Sequence, residues 1–316
     1  MHATLEDKPA TTTTPADPPV RDRCNICGRS FDSQTCERVR VRCNIRRFSS
    51  EHFQMWRCAG CRCLHCWEVI DLDRYYAGYG TKDQRLDFFS RLAYGRQLGR
   101  FRAAGLERSH RLLDYGCGSG NFVAYLRQRG YQGTVGYDPY GDTRGYGDAS
   151  ALQPEYYDFI CLQDVIEHVE DPRPLMVKLA GLLRPGGGLL AGTPSADEID
   201  LARTHRHLHQ LHAPYHLHLY TRQALVDLGR EAGLSARRSY RRFYMETPFF
   251  GMNEAFCRAY LERLDDNIDS LIEPPKVGVI VRSPLLLFHG TFGYIYSARH
   301  SVTVVFRKVS RGSRES

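Results

Sequence analysis

Leu112-Leu113-Asp114-Tyr115-Gly116-Cys117-Gly118-Ser119-Gly120-Asn121-Phe122 sets two apolar residues and an acid ahead of glycines at every second position. The pattern predicts a buried strand that breaks into a tight loop, with a helix starting at Asn121 and running through Phe122, Val123, Tyr125 and Leu126. Glycine suits such a loop because a ligand must approach the backbone closely and the turn uses angles that a Cβ disfavours. Loops of the G-x-G-x-x-G type look similar. Here the spacing is G-x-G-x-G, with the acid two residues before the first glycine.

Working outward, Thr134-Val135-Gly136-Tyr137-Asp138 is a short second strand ending in an acid 20 residues beyond Gly118. A carboxylate there can accept both ribose hydroxyls of an adenosine, in NAD and in S-adenosylmethionine (SAM) alike. Then come Gly147-Asp148-Ala149, the run Tyr157-Asp158-Phe159-Ile160-Cys161-Leu162-Gln163-Asp164-Val165-Ile166-Glu167-His168-Val169, and Leu182-Leu183-Arg184-Pro185-Gly186-Gly187-Gly188 leading into Leu189-Leu190-Ala191-Gly192. Over residues 108–235 this series resembles the class I SAM-dependent methyltransferases, whose sequences read fDlI…dvlEHv.dp…LkpGG. A nicotinamide dehydrogenase has no reason to carry it.

Strands alternating with helices predict an α/β fold with right-handed crossovers and a doubly wound, mostly parallel sheet whose ligands bind at the carboxyl ends of the strands. Strands are expected at 111–115, 134–137, near 144–147, and at 158–163, 188–193, Ala236–Tyr244 and Ser301–Lys308. The resemblance implies a seven-stranded Rossmann-like sheet in the order 3-2-1-4-5-7-6 with the last strand antiparallel. Helices are expected over 82–106, after an Asp171 cap followed by Pro172, ending at Pro185-Gly186, and from Thr221 to near Gly233. The 82–106 helix should turn Leu86, Phe88, Phe89, Leu92, Leu98 and Phe101 toward the core.

The domain layout reads as a disordered, Thr/Pro-rich tail (1–20), a zinc-binding module (21–70), a helical linker or lid (71–107) and a methyltransferase domain (108–316) with an insertion at 248–298. The insertion is apolar and aromatic. It reads as a local core, or as a lid for a greasy substrate or a membrane-surface patch. The apolar content of 42% is that of a globular chain, and the formal charge of +7 is modest, its arginine clusters reading as solvated surface. No run of 18 apolar residues and no export signal is present, which points to a cytoplasmic protein without a membrane span.

Eight of the 11 cysteines lie between Cys24 and Cys66. Without an export signal, paired C-x-x-C favours metal over disulfides. Cys24-Asn25-Ile26-Cys27-Gly28 has the form of a zinc knuckle, and Cys58-Ala59-Gly60-Cys61 supplies a second pair. Cys63 and Cys66 form a rival pair. Some small-molecule methyltransferases begin with a CxxCG…CxxC ribbon followed some fifteen residues later by an aromatic YY…Y segment. Tyr75-Tyr76…Tyr79 starts 14 residues beyond Cys61 but nine beyond Cys66. The resemblance therefore selects Cys24, Cys27, Cys58 and Cys61 for one structural zinc, leaving Cys36, Cys43, Cys63 and Cys66 as apolar fillers or redox-reactive thiols.

The resemblance also assigns the cofactor contacts. Gly116, Gly118 and Gly120 let the backbone approach the methionine end of SAM, and Asp114 hydrogen-bonds within the loop or to the ligand amine. Asp138 holds the ribose and Asp148, with Ala149 beside it, the adenine. Gln163 lies near the sulfonium. The N-P-P-Y motif that serves exocyclic amino groups of bases is absent after strand four. Quinone-biosynthesis O-methyltransferases carry E-x-x-E-H there, implicated in binding a divalent metal. This chain has Asp164-Val165-Ile166-Glu167-His168, with a shorter acid at the first position. Six histidines crowd residues 205–218, without paired spacing to fixed carboxylates, and His216-Leu217-His218-Leu219-Tyr220-Thr221 resembles the family's HlhlYt segment. For a hydroxyl acceptor, His168 with Glu167 beside it, or His216, is the expected base.

The function expected is methyl transfer from SAM to a small-molecule acceptor, apolar or aromatic, with a hydroxyl oxygen favoured. An rRNA methyltransferase gripping RNA through the zinc module and a non-catalytic SAM-binding protein are the alternatives. No interleaving of aromatic and basic residues asks for nucleic acid. Acceptor identity and oligomeric state are not written in the chain.

Overall fold

The computed structural model describes residues 20–32, 34–76, 86–140, 145–297 and 299–309. Most of the expected tail, Tyr79, the start of the 82–106 helix, residue 144 and the last basic residues lie outside them.

In chain order the elements are strands β1 (Arg38–Arg42), β2 (His52–Arg57) and β3 (Leu64–Cys66), then helices α1 (Leu72–Tyr76) and α2 (Phe88–Ala103). Next come β4 (Leu112–Tyr115), α3 (Asn121–Gln128), β5 (Thr134–Tyr137), β6 (Tyr157–Gln163), α4 (Pro172–Leu182) and β7 (Leu183–Pro194). They are followed by α5 (Leu208–Leu211), β8 (His218–Leu219), α6 (Arg222–Glu231) and β9 (Leu234–Tyr240). Helices α7 (Glu254–Leu261), α8 (Asp269–Ile272), α9 (Val277–Val281) and α10 (Pro284–Tyr296) precede the last strand, β10 (Ser301–Lys308).

The main sheet runs β5-β4-β6-β7-β10-β9. Strands β5, β4, β6 and β7 are parallel, and β10 is antiparallel to both its neighbours. This is the expected order with the third strand missing: the sheet has six strands among the described residues, not seven. Residues 145–147 form a turn and irregular chain. There the Tyr146 carbonyl accepts one bond, from Asp138 N (2.9 Å). Glycines on both sides of Tyr146 give this segment little tendency to extend.

Helices cover both faces of the sheet, so its central strands are continuous apolar runs. In β6 every residue from Tyr157 to Leu162 is buried. Asp171 caps α4 by accepting from Arg173 N, with proline in the first turn, and Thr221 caps α6 by accepting from Ala224 N. Three boundaries differ from expectation. Helix α4 ends at Leu182 because Leu183 already joins the sheet, which makes β7 longer than 188–193. Strand β9 is Leu234–Tyr240, not 236–244, because α6 ends at Glu231 and Gly233 turns the chain straight into the strand. Phe88 and Phe89 are exposed rather than core, their rings meeting Phe249 of the later insertion.

The cysteine-rich segment does not stand apart. Its antiparallel sheet runs β1-β2-β3-β8, so its fourth strand comes from beyond β7, with Leu64 opposite Leu219 and His65 opposite His218. Buried Arg57 of β2 donates to the carbonyl of Ala196 (3.2 Å) after β7. Cys24, Ile26 and Trp56 share one buried cluster with Tyr220 and Leu225.

In the 248–298 region, α7 and α10 pack through Phe256, Tyr260 and Leu286. The opposite face of α10 leaves Phe288, Phe292 and Ile295 exposed, Ile295 at 77%. Among the described residues no helix is long and apolar enough to cross a membrane.

Candidate active site

The glycine loop is tied to the end of β5. Gly116 N and Cys117 N donate to the Tyr137 carbonyl (2.7 and 3.2 Å), and Gly118 N donates to Asp138 Oδ2 (2.8 Å). Asp138 Oδ1 accepts from Tyr140 N (2.8 Å). The sequence therefore brings Asp138 to the loop. The three glycines differ in what surrounds them. A Cβ on Gly116 would lie 2.3 Å from Val165 Cγ2, and one on Gly120 would strike the Tyr146 ring, whereas one on Gly118 would meet no atom of the described residues within 4 Å. Among the described residues, nothing covers Gly118.

Asp114 sits under the loop, buried, and burial pushes its carboxyl up to about 7. Asp148 caps the short turn Ala149–Ala151, accepting from Ser150 N (2.8 Å) and from the Ser150 hydroxyl (2.6 Å). Gln163 ends β6. Its amide donates to Asp164 Oδ1 (2.8 Å), and its carbonyl oxygen accepts from Gln97 of α2 (3.3 Å).

Just beyond β6, a short 3-10 turn carries Glu167 and His168. Leu217 N donates to the Glu167 carbonyl (2.8 Å), which anchors the segment before β8 and brings His216 alongside. One donor atom each from Glu167, His168 and His216 then lie within 4.8 Å of one another. His168 Nδ1 donates to the Tyr215 carbonyl (2.8 Å), with the Tyr76 hydroxyl 2.9 Å away. His216 Nδ1 donates to the Gln210 carbonyl (2.7 Å). Burial lowers both imidazoles, His168 to about 4, and lifts Glu167 well above the carboxylate range. Asp164 is half-buried, and desolvation pushes it up to about 7.

Sequence reasoning missed several neighbours of these residues. Tyr146 covers Gly120 and Gly136, Val165 packs on Gly116, and Gln97 reaches Gln163 from α2. Tyr76 was read only as part of an aromatic segment, yet its ring packs on Tyr215 and Tyr140 beside His168. No local signal marks Tyr146 or Gln97, because both contacts arise only when the sheet assembles.

A family model described as a methyltransferase domain matches residues 87–238. Those residues are a class I SAM-dependent methyltransferase domain. Ubiquinone biosynthesis O-methyltransferases from Aeromonas salmonicida and Yersinia pestis are 29% and 27% identical to the chain over 101 residues, 26% of this chain and 42% of theirs. The chain thus spans less than half the length of these curated relatives. Among solved structures, the 1,6-didemethyltoxoflavin-N1-methyltransferase of Burkholderia thailandensis is 15% identical, with 80% of this chain and 98% of that one covered at a TM-score of 0.44. A SAM-dependent methyltransferase from Mesorhizobium loti is 16% identical, with 67% and 97% covered at 0.41.

Ahead of the methyltransferase domain, the sulfurs of Cys24, Cys27, Cys58 and Cys61 also lie within 4.8 Å of one another. Cys24 meets Cys61 and Cys27 meets Cys58 at 3.5 Å. The amides of Ile26 and Cys27 donate to Cys24 Sγ, and that of Gly60 to Cys58 Sγ, each at 3.4 Å. His65 Nε2 lies 3.1 Å from Cys24 Sγ, and its Nδ1 lies 2.9 Å from His218 Nδ1 of β8. The rival thiols Cys63 and Cys66 are buried outside this group, as are Cys36 and Cys43.

Proposed function

We propose that the protein transfers the methyl group of SAM to a hydroxyl oxygen of a small apolar or aromatic molecule. The observation that carries this reading is the Glu167–His168–His216 cluster, set just beyond Val165, which itself packs on Gly116 of the cofactor loop. Acid–base groups thus stand next to the place where the sulfonium methyl would be delivered. The relatives named ubiquinone biosynthesis O-methyltransferases support an oxygen acceptor.

In this reading Asp138 accepts from the ribose hydroxyls, Asp148 with Ala149 contacts the adenine, and Asp114 with the glycine loop contacts the methionine end. Gln163 borders the sulfonium. Transfer is an in-line displacement, so positioning supplies much of the rate. The hydroxyl proton leaves toward the neutral imidazole of His168 or His216, and Glu167, kept protonated by its burial, lies beside them. The rings of Tyr76 and Tyr215 offer an apolar wall for the acceptor.

The four-cysteine group fits a zinc ion. Sulfurs bound at about 2.3 Å in a tetrahedron lie about 3.8 Å apart, close to the observed contacts, and backbone amides already donate to two of them. The role proposed for the ion is structural, since the sheet beside it is completed by β8 of the methyltransferase region rather than projecting as a free nucleic-acid grip.

The test is a single-turnover assay with methyl-labelled SAM against a panel of phenols, catechols and quinols. The expected product is an O-methyl ether, and His168→Ala or His216→Ala should slow its formation by about 100-fold or more. Methyl appearing on carbon or nitrogen, or both variants retaining full rate, would overturn the oxygen-acceptor reading.

A further inference from the structure

The family resemblance implies a divalent metal held by the acids and histidine of the D-x-x-E-H segment. The residues do not fit that set. Asp164 accepts the Gln163 amide and is not among the clustered donor atoms, so the oxygen-rich environment that magnesium prefers is not assembled. A different third ligand stands in its place.

The geometry points to a two-histidine, one-carboxylate site formed by Glu167, His168 and His216 that binds a first-row transition-metal dication in preference to magnesium. Three features support it. Glu167 is fully buried, and among the described residues neither of its carboxylate oxygens has a partner in good hydrogen-bonding geometry. The Thr193 hydroxyl is the nearby side-chain donor, and it too is buried without a partner in good hydrogen-bonding geometry among the described residues. A carboxylate buried this way is costly as an anion unless a cation joins it.

Both histidines commit Nδ1–H to a backbone carbonyl, of Tyr215 and of Gln210, which leaves Nε2 of each ring as the atom with a lone pair. Metal-bound histidines are held in this way, with the outer nitrogen donating to a carbonyl or carboxylate. Neutral imidazole also suits zinc, iron, cobalt and nickel better than magnesium. Ligands about 2.0–2.1 Å from a tetrahedral ion lie about 3.3 Å apart, within the 4.8 Å bound on the three donors. With an ion bound, His168 and His216 would serve as ligands rather than as bases, and the ion would raise the acidity of an acceptor hydroxyl that reached it. That catalytic consequence rests on the proposed function, whereas ion binding does not.

The experiment uses the full chain with its four-cysteine site filled by stoichiometric zinc. Cobalt is titrated calorimetrically in the presence of excess magnesium, and SAM binding is measured on the same preparations. One further cobalt per chain should bind. Glu167→Gln and His216→Gln should weaken it by at least about tenfold, while Asp164→Asn leaves it in place. Retained zinc and an unchanged melting temperature show that each variant is folded. As a second measurement, the wild-type protein's added cobalt should show the weak visible bands of nitrogen and oxygen ligation rather than intense thiolate bands. No second ion, equal competition by magnesium, or loss of binding in Asp164→Asn but not in His216→Gln would each overturn the inference. Intact SAM binding alongside such a failure would leave the methyltransferase reading standing.

Discussion

Gly118 separates the backbone's need for glycine from the ligand's. Its φ of +52° lies in the left-handed region, and an added Cβ would touch nothing among the described residues. Gly118→Ala should therefore cost only the conformational penalty of an L-residue there, about 1–2 kcal/mol, which is a few degrees in melting temperature. Gly233, at φ +79° after α6, also has no atom within 4 Å of its would-be Cβ and lies away from the loop. Gly233→Ala should lose the same stability for the same reason. The two variants should part company on cofactor. If SAM lies against Gly118, the new methyl overpacks that contact by about 1–3 kcal/mol, or roughly 5- to 150-fold in Kd. Gly233→Ala should bind SAM as the wild type does. Calorimetric titration of SAM into both proteins, with thermal melting run in parallel, decides the matter. Equal SAM affinity in the two variants would show that the ligand does not front Gly118.

Three further outcomes are expected. Asp138→Ala should weaken SAM binding by about tenfold or more, because a ribose loses a charged acceptor; wild-type affinity by calorimetry would remove Asp138 from the site. Metal analysis should find about one zinc per chain held by the four cysteines, with Cys61→Ser lowering both zinc content and melting temperature; unchanged stability without zinc would contradict a structural role. In the absence of ligand, buried Asp114 keeps its proton up to about pH 7, whereas the unfolded chain releases it near 3.8. Stability should then fall as pH rises from about 4 to about 7, by up to about 4 kcal/mol from this group, and Asp114→Asn should make that slope shallower in denaturant titrations, with Asp164 and Glu167 supplying the remainder.

Much of the fold was legible because it is written locally. The strand–loop–helix around Gly116–Gly120 needs only two apolar residues, three glycines and Asn121, and the caps at Asp171 and Thr221 act on their own first turns. What could not be read depends on distant pairings. His216 meets Glu167 across 49 residues of chain because Leu217 N bonds to the Glu167 carbonyl. No spacing rule joins them, so the histidine run looked like an isolated cluster. Phe88 and Phe89 fitted a helical apolar stripe, but their exposed rings meet Phe249 from a segment far along the sequence. The third strand expected near 144–147 does not form among the described residues, where Gly145-Tyr146-Gly147 resists extension.

Strand β8 has a consequence for how the molecule comes into being. The cysteine-rich sheet leaves the β3 edge unpaired until residues 218–219 arrive, and by then β4 to β7 have already been synthesised. The N-terminal module is thus finished last, although its cysteines emerge first. A chain cut at residue 70 would present the edge of Leu64–Cys66 to other molecules, and one started at residue 71 would leave His218 and Leu219 without the strand they pair with. Neither half is a detachable part, and swapping the module between relatives would have to carry the His218–Leu219 segment along with it.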